Sequence, residues 1–275
     1  MVGDTTTRRS FIDCQYGQMH LYTISPTAAG AIRRPPLLCI HQTPKSARQT
    51  LGLGRALARD RVVYAPDLPG FGDSDPPAAP PGIEDYADCL GTLLDALELN
   101  LLDILGNHTG AMNGVELALR RPGQVRRLVL IGVPLLNEAE RDAIRAQPFP
   151  VAAEPDGSHL LTEWQRALRW AGPGQTQRMI ESGFLDKLKA GRHGHWGAQA
   201  ALAYPMKDKL ARVSQPILAI GPRDDLWAIS PRAARLIQHG RFEPWPDYGF
   251  GVMDVATAKL AAVIRVHLDP PDGGS

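Results

Sequence analysis

Short apolar runs alternate with longer amphipathic stretches along most of the chain. The runs at 35–40, 62–65, 101–105, 129–132 and 216–221 are short, rich in Leu, Ile and Val, and bounded by Pro, Gly or Asp. That pattern predicts strands buried on both faces. Helical periodicity fits 46–58, 83–97 and 111–121, the last ended by Pro122-Gly123, residues that cannot continue a helix or that favour its C-terminal cap. Strand alternating with helix predicts an α/β fold, a mostly parallel sheet flanked by helices on both sides. Before it, 10–13 and 18–23 form an antiparallel hairpin around Gly17.

From 137 to 205 the strand rhythm stops. This stretch is helical, richer in tryptophan, and broken by Pro148, Pro150, Pro155 and Pro173. The expected organisation is a core built from 1–136 and 206–268, a helical lid at 137–205, and a disordered tail at 269–275.

The run Gly106-Asn107-His108-Thr109-Gly110 follows an apolar strand and opens a helix. It has the outline of a G-x-S-x-G nucleophile elbow, with histidine in place of serine. His41-Gln42-Thr43-Pro44 follows an earlier strand, and Asp67-Leu68-Pro69-Gly70-Phe71-Gly72-Asp73-Ser74 follows the next.

Together these runs resemble the elbow, the H-G-x-P oxyanion loop and the D-x-x-G-x-G-x-S loop of alpha/beta-hydrolases. The resemblance covers nearly the whole chain and implies that fold, with 137–205 as its lid over the elbow. It places the triad acid at Asp224, after the strand at 216–221, with Asp225 the candidate if the loop is shifted by one. It aligns the triad histidine with Phe250 in Asp247-Tyr248-Gly249-Phe250-Gly251. An acyl-enzyme route that needs a Ser-His pair cannot run as usual on such a set. The oxyanion hole is a backbone device, and the resemblance implies donors at Thr43 and Thr109, with Gln42 replacing the glycine of the loop.

The 275 residues suffice for one domain with an insertion. Thirty Lys and Arg against 29 Asp and Glu give no electrostatic case for nucleic acid or a membrane surface as partner. A small-molecule substrate is expected, with a homodimer compatible with the sequence. The N-terminal residues lack the apolar run of a signal peptide and no stretch reaches membrane-spanning length, so a cytoplasmic location is expected. Cys14, Cys39 and Cys89 are odd in number and widely spaced, as expected of reduced core thiols. No histidine spacing resembles a zinc site, Gly106, Gly110 and Gly114 do not form G-x-G-x-x-G, and neither metal nor cofactor is expected.

At the elbow His108 sits at a helix N-terminus, whose partial charge disfavours imidazolium, while a nearby Asp224 would pull the other way. Either it moves protons or it fills the space of a lost nucleophile; Asp224 either assists it or anchors its loop. Substrate contacts are expected from His41, Gln42, Asn107 and Phe250 in the core and from Trp164, His195, Trp196 and Tyr204 in the lid. Such walls suit an aromatic or polyketide-like carbonyl compound. The first functional expectation is cofactor-independent acid/base chemistry at His108, of lyase, isomerase, cyclase or decarboxylase type. The alternatives are a hydrolase in which His108 activates water or is itself the nucleophile, and a silent ligand-binding protein on the same fold.

Overall fold

The computed structural model describes residues 4–146 and 153–270. Pro148 and Pro150 of the insertion, and the expected tail from position 271 on, lie outside them. Eight strands form one sheet in the order β1-β2-β4-β3-β5-β6-β7-β8. They are β1 (Thr5–Cys14), β2 (Gly17–Pro26), β3 (Leu37–Ile40), β4 (Val63–Pro66), β5 (Leu102–Asn107), β6 (Val125–Ile131), β7 (Ile217–Pro222) and β8 (Gly240–Trp245). β1 and β2 pair antiparallel, as do β2 and β4, and the rest of the sheet is parallel.

Side chains alternate across a strand, and that period divides the core in two. Leu38 and Ile40 of β3, Ile104 of β5, Leu128 and Leu130 of β6 and Ala219 of β7 enter one cluster. Leu37 and Cys39, Leu105, Val129 and Ile131, and Leu218 and Ile220 enter the other. The central strands therefore read as unbroken apolar runs, because both faces are covered.

Helices α1 (Leu51–Leu57), α2 (Ile83–Ala96) and α3 (Thr109–Arg120) fall where the periodicity put them, with a 3-10 turn at Ala47–Thr50 leading into α1. The insertion supplies α4 (Glu138–Arg145), α5 (Ser158–Arg169), α6 (Gln177–Ala190) and α7 (Trp196–Ala203), followed by the short α8 (Met206–Leu210). The chain closes with α9 (Val252–Val255) and α10 (Thr257–Leu268). α2 and α3 cover the first cluster, α1 and α10 the second.

Two strands differ from the sequence reading. β1 is longer than expected because its first half, Thr5 to Arg9, is polar and largely exposed; charge on an edge strand discourages pairing with other chains. β8 carries no apolar run and contains Pro244, which an edge strand tolerates. The three cysteines are free, Cys39 and Cys89 in the core, where burial pushes the Cys39 thiol up to about 12. Among the described residues no helix is long and apolar enough to cross a membrane.

Candidate active site

The turn between β5 and α3 is built by two glycines. A Cβ on Gly106 would come within 2.3 Å of the Gly110 carbonyl oxygen, and one on Gly110 within 2.2 Å of that of Ile40. Only bare backbone fits both places, and the tight bend that results holds His108 at φ 50°, ψ −113°. A non-glycine residue held so is strained by about 1–3 kcal/mol, a cost the surrounding structure must over-determine. The fold keeps His108 there, with its N–H given to the Ile131 carbonyl at 2.8 Å.

From this bend the imidazole reaches the loop after β7. His108 Nε2 lies 2.8 Å from Asp224 Oδ2, and Nδ1 lies 3.9 Å from Asp225 Oδ1. A carboxylate has no proton to give, so Nε2 carries the hydrogen and donates it to Asp224. Nδ1 is left as the acceptor. Asp224 is fixed in turn by the Leu226 N–H, which donates to its Oδ1 at 2.9 Å. Burial pulls the imidazole pKa down, but the hydrogen bond and charge of Asp224, helped by Asp225, outweigh it and the net shift is upward. Burial and the neighbouring Asp224 raise the Asp225 carboxyl, and His108 only partly offsets them.

The ring faces a cavity of about 1090 Å³ between sheet and insertion. Gln42, Thr43, Asn107, Trp170, Asp224 and Phe250 line it beside His108. Phe250 stands 5.9 Å from the His108 ring and 5.5 Å from Trp170, centroid to centroid, and so joins the core loop to the insertion. Gln42 is pinned between Asn107, whose amide donates to it at 2.7 Å, and Gln49, which donates at 2.9 Å.

Several expected contacts lie elsewhere. His41 is fully buried. The Leu68 N–H donates to its Nε2 at 2.9 Å, and its Nδ1 lies 2.9 Å from the Gln42 carbonyl, so both nitrogens hold loops in place. Burial lowers its pKa, as suits a neutral ring. Tyr204 is 2% exposed, its hydroxyl donates to Glu116 at 2.8 Å, and it does not line the cavity. Trp164 packs edge-on against Phe184 at 5.4 Å. Trp196 packs against His193 with tilted rings 4.4 Å apart, and neither it nor His195 lines the cavity, whereas Gly194 and Ala198 do. The helical period places Trp170 on the wall and turns Trp164 from it.

Thr43, expected as an oxyanion donor, already gives its N–H to the Thr109 hydroxyl at 2.8 Å, and the two hydroxyl oxygens are 3.2 Å apart. A threonine side chain just after the elbow was legible, but its reach across to the β3 loop was not.

Among the described residues, two clusters bring ligand-type atoms within 4.8 Å of one another, His108 with Asp224 and Asp225, and His20 with Asp67 and Asp73. In the first, Nε2 is already held by Asp224 at 2.8 Å and Nδ1 faces Asp225 at 3.9 Å. In the second, Asp67 is spent on His20 Nδ1 at 2.8 Å and the N–H groups of Ala47 and Asp73 at 2.6 and 2.9 Å. It anchors the loop after β4.

Residues 35–198 match the model of the alpha/beta hydrolase fold family, and the chain belongs to that family. It is 44% identical over 77 residues to a 2-hydroxy-6-oxo-2,4-heptadienoate hydrolase of Pseudomonas putida, 28% of either chain. It is 46% identical over 77 residues to a 2-hydroxymuconate semialdehyde hydrolase of a Pseudomonas strain, 28% of this chain and 27% of that one. The matches to these two relatives therefore span little more than a quarter of their length. Among solved structures, a hydrolase from Pseudomonas aeruginosa superposes with a TM-score of 0.77 at 24% identity, covering 95% of this chain and 98% of that one. A thermophilic esterase from Thermogutta terrifontis superposes at 0.73 with 21% identity, over 94% and 97%. Both bear on the fold alone.

Proposed function

We propose that the protein hydrolyses a small carbonyl compound, with His108 as the base that activates water. The observation that carries this reading is the 2.8 Å contact between His108 Nε2 and Asp224, which leaves Nδ1 as a proton acceptor at the cavity. Phe250 beside the ring cannot move a proton, so His108 and Asp224 are the pair that does. The gap of 3.9 Å between Nδ1 and Asp225 is one that a water bridges. That water loses a proton to Nδ1 as its oxygen attacks the carbonyl carbon, and Asp224 stabilises the imidazolium that forms. The proton then passes to the leaving group. When Thr109 gives up the Thr43 N–H, that group receives the oxyanion together with the Thr109 N–H.

The hydrolases among the relatives support this over the lyase, isomerase, cyclase or decarboxylase chemistry expected first. The mechanism needs no cofactor and no covalent intermediate. The test is turnover of p-nitrophenyl esters by the wild type and by His108→Ala. The variant is expected to lose at least about 100-fold in kcat/KM, the usual worth of a positioned base. A serine-directed fluorophosphonate is expected to leave the wild type unlabelled. Equal turnover by both proteins, or stoichiometric labelling, would remove the proposal.

A further inference from the structure

The cavity has a mouth of a definite charge. Arg9 on β1, Arg48 before α1, Arg55 on α1 and Arg178 on α6 line the cavity, and all four are exposed. Four separate elements thus bring an exposed arginine to one cavity. Arg166 and Lys187, which also line it, are bound to Glu163. Among the described residues, none of the four mouth arginines has a carboxylate within ion-pair distance; Arg48 has the Tyr22 hydroxyl for a neighbour. The chain as a whole is near balance, so this excess is local.

Lys45 lies below the mouth, half-buried in the cavity wall. Its Nζ donates to the Gly183 carbonyl at 2.7 Å, one acceptor for an ammonium with three hydrogens. Burial draws its pKa down to about 8, against the upward pull of Asp186 and Asp254. Those two carboxylates also line the cavity. Their own pKa values are raised by burial. Where ionised, they disfavour a further negative charge beside Lys45.

We infer that the substrate is an anionic acyl compound, its carboxylate held by the arginine mouth while its carbonyl reaches His108. Guanidinium groups match a carboxylate in planar, two-pronged fashion. Unpaired cations around a low-dielectric opening also focus the field outward and draw anions in before they dock. The apolar rings of Trp170, Phe184 and Phe250 then cover the body of the molecule between the two ends.

The inference rests on the hydrolytic reading for its activity test but not for its binding test. Two p-nitrophenyl esters of equal acyl length are compared, valerate and the monoester of glutarate, which differ by one terminal carboxylate. At about 0.01 M salt, where screening reaches about 30 Å, the glutarate ester is expected to be favoured at least about tenfold in kcat/KM. At about 1 M salt, where screening falls to about 3 Å, the preference is expected to shrink toward parity. The double variant Arg55→Gln, Arg178→Gln is expected to lose the preference at low salt. Equal rates for the two esters at low salt, or a preference that survives the double variant, would overturn the inference. If neither ester turns over, calorimetry with glutarate decides: salt-sensitive binding weakened in the double variant keeps the anion site while the hydrolytic reading falls. No glutarate binding would end the inference on its own.

Discussion

His108 Nε2 and Asp224 Oδ2 meet at 2.8 Å between the end of β5 and the end of β7, two strands separated in the sheet by β6. The parallel register makes the meeting possible. Asn107 pairs with Ile131, and Ile131 with Ile220, so the loops that follow β5 and β7 emerge at the same level of the sheet. An acid at the end of β7 thus reaches a ring held up by the turn after β5.

In the proposed mechanism this pairing gives activity a pH dependence of definite sign. Water activation needs the neutral ring, and the pull of Asp224 and Asp225 outweighs burial and raises the His108 pKa above the ordinary imidazole value of 6.5. The rate is therefore expected to rise with pH through a midpoint above that value. In Asp224→Asn, burial is left with less opposition and the midpoint moves down, while kcat falls. A group with a raised folded pKa adds stability that is full below its unfolded value and is lost as pH rises through the folded one. Asp224→Asn is thus expected to cost more in melting temperature at about pH 5 than at about pH 9. A pH-rate profile unmoved by the substitution would show that Asp224 only anchors its loop.

How much of this was legible in sequence differs by element. The central strands and α1 to α3 were, because burial on both faces leaves an apolar run and burial on one leaves a helical stripe. The bend at His108 was too, since only Gly106 and Gly110 permit the close approach that makes it. The mouth arginines were not. Each is unremarkable in its own segment, and only the fold gathers four of them at one opening. Tyr204 and His41 misled for the same reason in reverse: their partners, Glu116 and Leu68, sit on elements that no local pattern links to them.

The hydrogen bond from Thr43 N–H to the Thr109 hydroxyl, at 2.8 Å, occupies a donor that the proposed hydrolysis needs. Substrate must displace a neutral hydrogen bond whose net worth is about 0.5–1.5 kcal/mol. Thr109→Ala removes the acceptor and leaves the N–H open. It is expected to raise kcat/KM by about two- to tenfold, and Thr109→Ser to restore the wild-type value. A fall in Thr109→Ala would mean that the hydroxyl itself serves the substrate.

Gly132, just after β6, supplies the space in which the imidazole stands. It sits at φ 62°, and a Cβ there would come within 2.6 Å of His108 Cδ2 and 2.7 Å of Nε2. Alanine at that position therefore presses on the very atom that donates to Asp224. The backbone is not free to give, since the Gly132 N–H is bound to the Ile220 carbonyl at 2.9 Å in the neighbouring strand. The ring is the part that moves, and it moves away from its carboxylate. Gly132→Ala is expected to keep its far-ultraviolet dichroism and melt a few degrees lower, about the effect of 1–2 kcal/mol for a residue forced into a left-handed conformation. Its kcat/KM is expected to fall at least about 100-fold. The His108 pKa, followed by the ring proton resonances, is expected to drop as the pull of Asp224 weakens and burial remains. A variant that folds, carries a lowered His108 pKa and still turns over at the wild-type rate would show that catalysis does not depend on the His108–Asp224 contact.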